Sequence, residues 1–217
     1  MRDAFHDDLD AIGGSLVEMS QLASTAMVRS TKAILEADLT LAEEVISEDE
    51  KIDALHHDLD SRILNLMARQ QPVASDLRAL VTALRMSADL ERMGDMSHHV
   101  AKITRLRHPD AAIPSELTSS FKQMGEAAEK IARKTGSVIA SRDTEVALQV
   151  EKDDDAIDSL HRKIIQTLLA PNWQHGIETA IDMTLLGRYY ERCADHAVSI
   201  ARRVYFLVTG TYASDQA

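Results

Sequence analysis

Apolar or small residues at Leu9, Ile12, Leu16, Met19, Ala23, Ala26, Ser30 and Ile34 step by three and four, which places them on one face of a helix. The stripe predicts a first helix over about 6–36. Thr40-Leu41-Ala42-Glu43 then has the form of a capping box, in which the Thr hydroxyl and the Glu carboxylate satisfy free amides at a helix start. Val45, Ile52, Leu55, Leu59, Ile63 and Leu66 form the inward stripe of the second helix. Pro72 ends it, because proline cannot donate the next backbone bond, and Ser75 offers an N-cap for a third helix over about 76–106. The segment from Arg107 to Ser115, with Pro109 and Pro114, reads as a boundary, and Ser115 as the next N-cap.

The plan then repeats. Leu117, Phe121, Met124, Ala128, Ile131, Thr135 and Val138 mark a fourth helix; a fifth is expected over about 144–169 and a sixth over about 176–208, with Gly210 as its C-cap and Ala213 to Ala217 as a frayed tail. Glu91-Arg92-Met93-Gly94-Asp95 recurs 100 positions later as Glu191-Arg192-Cys193-Ala194-Asp195. Upstream the offset is 105, from Asp49-Glu50-Lys51-Ile52-Asp53 to Asp154-Asp155-Ala156-Ile157-Asp158, and Asp38 has its partner in Asp143. The second copy is therefore shorter where Pro171-Asn172-Trp173 replaces the turn around Pro72. A duplication of this kind predicts an all-α fold of six helices, arranged as two tandem three-helix bundles over 1–108 and 109–217.

Composition agrees with helices: 4% aromatic residues and few Gly and Pro leave no material for a β-sandwich. A net charge of −11 argues against nucleic-acid binding and towards cations or basic partners. The single cysteine, Cys193, is expected to pack as a small apolar residue in a reducing compartment. The N-terminus is acidic and polar, and no stretch approaches the ~20 apolar residues of a membrane span, so a cytoplasmic location is expected. Met86, Met93 and Met96 read as core filler and Trp173 as a packing anchor. Neither a nucleophile triad nor a phosphate-cradling glycine loop is present, which points away from an enzyme.

The chemistry-bearing feature is the set of carboxylates spaced i, i+4: Asp49 and Asp53, Glu91 and Asp95, Asp154 and Asp158, Glu191 and Asp195. Each pair lies on one helical face, one turn apart. Asp49 falls where the stripe asks for an apolar residue, and the stripe Leu77, Val81, Leu84, Ala88 runs on to Glu91 and Asp95, so these acids sit at packing seams. If the second and third helices are antiparallel, four carboxylates meet. All-oxygen anionic sets suit hard or borderline cations: iron, Mn, Mg or Ca, with Zn less favoured and identity left open. The plainer alternative pairs the acids with Arg85, Arg92, Arg188 and Arg192 on a solvated face. His56, His161 and His98, three residues beyond Asp53, Asp158 and Asp95, have spacings that could add a nitrogen ligand, as in a ferritin-like di-iron oxidase, but they read first as exposed surface histidines. A purely structural helical module is the remaining alternative.

Gln71-Pro72-Val73-Ala74-Ser75-Asp76-Leu77-Arg78, with Asp89-Leu90-Glu91-Arg92-Met93-Gly94-Asp95, resembles the PhoU family of phosphate-transport regulators, and Tyr190-Glu191-Arg192-Cys193-Ala194-Asp195-His196-Ala197 resembles its second repeat. The resemblance covers nearly the whole chain. It implies two three-helix bundles whose acidic motifs, here Asp49, Asp53, Glu91, Asp95, Asp154, Asp158, Glu191 and Asp195, can hold metal ions. It also implies a cytoplasmic adaptor that partners the ATPase subunit of the phosphate ABC transporter and a sensor histidine kinase, meets the membrane only through them, and represses the phosphate-starvation response when phosphate is plentiful. Homo-oligomerisation is left open. Where the family commonly carries Asn, this chain has His99 and Ser199.

Overall fold

The computed structural model describes residues 2–211, with side chains from Phe5 onward; the tail expected at Ala213 to Ala217 lies outside the described residues. Six helices follow one another: α1 (Arg2–Glu36), α2 (Leu39–Gln70), α3 (Ala74–Arg107), α4 (Ser115–Ser141), α5 (Thr144–Leu168) and α6 (Gly176–Thr209). The described residues include no strand.

The elements are those the stripes predict, but three of the expected caps are misplaced. Helix α2 starts before Thr40, which lies inside it. The N-cap is Asp38, whose carboxylate accepts from the Leu41 amide at 3.0 Å. Its repeat counterpart Asp143 does the same for α5, accepting from Glu145 and Val146. In both connections a left-handed residue, Ala37 or Arg142, reverses the chain just before the Asp. That leaves no room for a start at Thr40, and a short carboxylate at once meets the free amides. Ser75 and Ser115 are helical residues rather than caps: α3 starts behind extended Val73 with no side-chain cap bond, and α4 behind Pro114, whose carbonyl accepts from the Leu117 amide. Gly210 does cap α6, at φ 79°.

Within each half three helices pack together, α1 with α2 and α3, and α4 with α5 and α6; α1 also lies on α4 and α3 on α6. One large apolar core therefore runs through both halves, from Phe5 and Ile12 to Val204 and Tyr205, beside a small second cluster of Ala33, Ala42, Val45 and Ala101. Cys193 and Met93 are buried in the large core, as is Met86, while Met96 and Trp173 pack against its edge. Leu55 is only partly covered.

The seam between the halves is self-complementary. A Cβ on Gly125 would stand 2.3 Å from Thr31 Cγ2, and one on Gly136 would stand 2.7 Å from Ser20 Oγ. Ser20 and Gly125 are repeat equivalents, as are Thr31 and Gly136, so the two contacts are one contact made twice, as across a two-fold axis. The α3–α6 crossing follows the same rule with different chemistry. Asp89 accepts from His196 Nδ1 (3.0 Å), Ser199 Oγ (3.0 Å) and Arg203 Nε (2.9 Å), whereas the equivalent meeting of residues 99 and 189 sets the His99 ring 5.0 Å from that of Tyr189. Burial pushes the Asp89 carboxyl up, but hydrogen bonds from His196 and Arg203 outweigh it and hold the group below its ordinary value.

Candidate functional site

The first acidic cluster lies where α2 meets α3. Asp49 occupies a core position between Val45 and Ile52 and is buried. It fits because α3 presents Gly94: a Cβ there would stand 2.9 Å from Ile52 Cδ1 and 3.0 Å from Asp49 Oδ1. His98 Nδ1 donates to Asp49 Oδ2 at 2.5 Å. Arg92 spans the two acids of its own helix, with Nε 3.3 Å from Glu91 and Nη1 2.5 Å from Asp95. His56 is bonded through Nδ1 to the buried Ser87 hydroxyl at 2.6 Å. Burial raises the Asp49 carboxyl, the His98 hydrogen bond opposing and Asp53 and Asp95 adding to the rise. Burial and then Asp95 raise Glu91.

The second cluster keeps the acids at α5 and α6 but changes their partners. Glu191 is held by Arg188 Nη1 at 2.5 Å and by His161 Nδ1 at 2.9 Å, and Asp195 has Arg192 at 3.8 Å. Gly187 makes room for the imidazole, since a Cβ there would stand 2.9 Å from His161 Cδ2. Val198 stands where the first half has His98, and Asp154 is left with a buried Oδ1 that no donor meets. Its carboxyl is pushed up to about 6, by burial first and then by Asp158, Asp195, Asp155 and Glu191.

The eight predicted acids thus fall in two regions, Asp49, Asp53, Glu91 and Asp95 at α2 and α3 and Asp154, Asp158, Glu191 and Asp195 at α5 and α6, where neighbouring carboxylates add to the burial that raises Asp49, Glu91 and Asp154. The arginine alternative is realised in part: Arg92, Arg188 and Arg192 pair with the acids, while Arg85, among the described residues, does not. The histidines are not surface groups. His56, His98 and His161 keep only about a fifth of their side-chain area exposed and turn into the clusters, because each finds a hydroxyl or carboxylate on the facing helix. His99 and Ser199 make their contacts at the seam, with Tyr189 and Asp89, and His99 also lies within electrostatic reach of Asp95. Among the described residues, no three His, Cys, Asp or Glu side chains stand gathered to hold an ion, so a cation entering either group must draw rotamers inward. The donor set nonetheless suits a hard cation: carboxylate oxygens, with Asp154 Oδ1 and Glu191 Oε2 buried without a hydrogen bond, and like charges held close. Sequence reasoning missed the supporting residues Ser87, Gly94 and Gly187. Gly94 carried a usable signal, since it sits inside the motif where a helix otherwise favours Ala.

A family model described as the PhoU domain matches residues 16–104 and 121–204, segments that contain all eight acids. The chain is 48% identical over 212 residues to the phosphate-specific transport system accessory protein PhoU homolog 2 of Mycobacterium tuberculosis, covering 98% of this chain and 100% of that protein. It is 46% identical over 215 residues to PhoU homolog 1 of Mycobacterium leprae, covering 99% and 97% respectively. The crystal structure of PhoU from Pseudomonas aeruginosa superposes with a TM-score of 0.84 at 26% identity, over 95% of this chain and 100% of that one. That of the phosphate transport regulatory protein PhoU from Streptococcus pneumoniae gives 0.85 at 22% identity, over 96% and 98%, and shares the fold.

Proposed function

This chain belongs to the PhoU family, and from that membership we propose that it is a non-enzymatic, cytoplasmic regulatory adaptor of phosphate transport. It links the ATPase subunit of the phosphate-specific ABC transporter to a sensor histidine kinase and represses the phosphate-starvation response when phosphate is plentiful. The observation that carries this reading is the full-length match to relatives named as accessory proteins of the phosphate-specific transport system, through both repeats. Among the described residues no helix is long and apolar enough to cross a membrane, which suits a protein that meets the transporter through a partner. Leu106, Leu169, Ile177 and Ile181 are exposed near the α5–α6 turn, apolar surface that a docking partner can cover. A second copy of the chain is a further partner the reading admits.

In this proposal Asp49, Asp53, Glu91 and Asp95 hold one cation, and Asp154, Asp158, Glu191 and Asp195 another. Support comes from the oxygen donor set and from the unpartnered Asp154 oxygen. A bound cation supplies charge neutralisation. The chain's own residues do the rest: Arg92 and Arg188 aim the Glu and Asp side chains, His98 and His161 hold Asp49 and Glu191, and the paired helices carry any tightening of α2 on α3, or α5 on α6, to the surface. A clean deletion tests the adaptor reading. Phosphate-scavenging genes, followed by a reporter in phosphate-rich medium, are expected to stay on, and complementation to silence them; normal silencing in a strain without any second copy overturns the proposal.

A further inference from the structure

We infer that the end of the bundle where α3 and α5 stop and α6 starts is a docking strip for an acidic amphipathic helix of a protein partner. The inference rests on the adaptor reading above and gives its partner surface a chemistry.

Three helices bring exposed apolar side chains to this end. Ile177, Ile181 and Leu185 step by four along α6 and are all exposed, a row roughly 12 Å long on one face. Leu106 stands at the exposed end of α3 and Leu169 at the end of α5; Ile177 and Leu169 are 81% and 79% exposed. Arg107 holds the ends together, reaching from α3 to Glu178 at 2.6 Å and to the buried Asp182 at 2.6 Å on α6. Such a row, with apolar neighbours on both sides, is the footprint that a further amphipathic helix covers. The first half does not keep it. Leu77 and part-buried Val81 stand where the second half has Ile177 and Ile181, and Arg85 replaces Leu185. Phe206, the counterpart of Leu106, lies under the Arg78 guanidinium, 5.2 Å from the ring centre. The counterpart of Arg78 is Glu178, which turns to Arg107 instead, and Leu106 stays bare.

Charge selects the occupant. The chain carries −11 overall, yet the strip is bordered by cations. Lys102 lies one turn before Leu106, and Arg162 two turns before Leu169 with Lys163 beside it, all exposed. Among the described residues none of the three has an acid partner; Arg162 meets only the Ser159 hydroxyl. Over 102–110 and 159–188 the acids Glu178 and Asp182 are both taken by Arg107, which leaves Asp110 as the unpaired acid against three unpaired cations. The acidic groups begin one turn further in: Ile181, Arg188 and Asp195 follow at sevens and so share a face. An anionic membrane also takes leucines and cations, but a lipid plane would meet that acidic belt and the net negative field as well. A helix laid along the row touches the cations alone, and charges more than about 8 Å away are largely screened.

The test is fluorescence anisotropy of three labelled helical peptides on the purified full chain. The peptides share a Leu row spaced by three and four and carry Glu, Gln or Lys at the flanking positions. The Glu peptide is expected to bind roughly tenfold more tightly than the Lys peptide at low salt, the gap closing at high salt. Ile177→Ser with Ile181→Ser should remove binding of all three, and Lys102→Glu with Arg162→Glu should invert the order. All four side chains are exposed, and circular dichroism checks that the variants fold; should one pair fail to fold, the other decides. The proposal is overturned if the Lys peptide binds as tightly as the Glu peptide, if the Ile variant binds as the wild type does, or if no peptide binds. Vesicles of equimolar phosphatidylserine and phosphatidylcholine that bind the wild type and not the Ile variant overturn it in favour of a lipid surface. A wild-type dimer in sedimentation that the Ile variant dissolves overturns it in favour of a second copy. The deletion test above and this one fail separately: normal silencing without the chain removes the adaptor reading, whereas the order of the peptides alone decides the chemistry of the strip.

Discussion

Gly125→Ala should loosen the seam between the halves, while the same change at Gly14 should strengthen α1. The added methyl at 125 would stand 2.3 Å from Thr31 Cγ2 and 3.2 Å from Thr31 Cβ, where carbon atoms rest at roughly 3.5–4.0 Å, so α1 and α4 must separate by about 1 Å or Thr31 must turn. Thr31 is not free to turn. Its hydroxyl donates to the Met27 carbonyl at 2.8 Å and accepts from the fully buried Tyr190 hydroxyl at 2.9 Å. Overpacking of this kind costs about 1–3 kcal/mol, and loss of the Tyr190 hydrogen bond about 1 kcal/mol more; the better helix propensity of Ala returns about 1 kcal/mol. The net loss is about 1–3 kcal/mol, a fall in melting temperature of roughly 2–12 °C for a chain of this size. At Gly14, which has nothing within 4 Å of an added Cβ, only the gain of up to about 1 kcal/mol remains. Thermal unfolding followed by circular dichroism measures both. A Gly125→Ala protein as stable as the wild type, beside a stabilised Gly14→Ala, would show that the close approach of α1 and α4 is not what sets the seam.

Two further outcomes follow from local chemistry. Asp38→Ala should cost about 1 kcal/mol in urea unfolding and Thr40→Ala a few tenths at most, because the Leu41 amide is capped by Asp38 and not by Thr40; equal losses would restore the capping box. Asp154→Asn should stabilise the chelator-treated protein at pH 7–8 and lose that advantage below pH 4: with its carboxyl pushed up to about 6 from an ordinary 3.8, the folded state keeps a proton that the unfolded chain releases, so stability falls as pH rises across that window, and a pH-independent difference in melting temperature would refute the coupling.

The six helices were legible because every buried stripe repeats. Ile12, Leu16, Met19 and Ala23 of α1 are matched by Leu117, Phe121, Met124 and Ala128 of α4, all buried. The acids were legible for the same reason, and Asp49 also because a charge in an apolar register asks for an explanation. The caps were less so: Asp38 and Thr40 both precede amides that need acceptors, and only the left-handed turn at Ala37 decides between them. The histidines were misjudged because spacing along one helix says nothing about the facing helix. Ser87 and Asp60 lie across from or beside His56, Asp49 across from His98 and Glu191 across from His161. Asp89 stood in the motif that carries the family resemblance, but its role was not legible, since its partners His196, Ser199 and Arg203 come from the other half.

Those cross-half contacts also explain how a duplicated chain keeps one arrangement. A self-complementary seam alone would serve two identical chains, or the two halves of one chain, equally well. Here the seam has diverged at matched positions: residue 89 is Asp and meets Ser199 and Arg203, whereas residue 189 is Tyr and meets His99. Two first halves brought together would set Asp89 against His99 with no Arg203, and two second halves would set Tyr189 against Ser199 with no carboxylate for Arg203. Each mismatch strands a partly buried charge or loses a ring contact, costs of about 1–3 kcal/mol for an unmet polar group. The same separation of roles appears beside the acids at 98 and 198, so the duplication keeps the scaffold symmetric while single side chains make one crossing polar, the other aromatic, and the two carboxylate clusters chemically distinct.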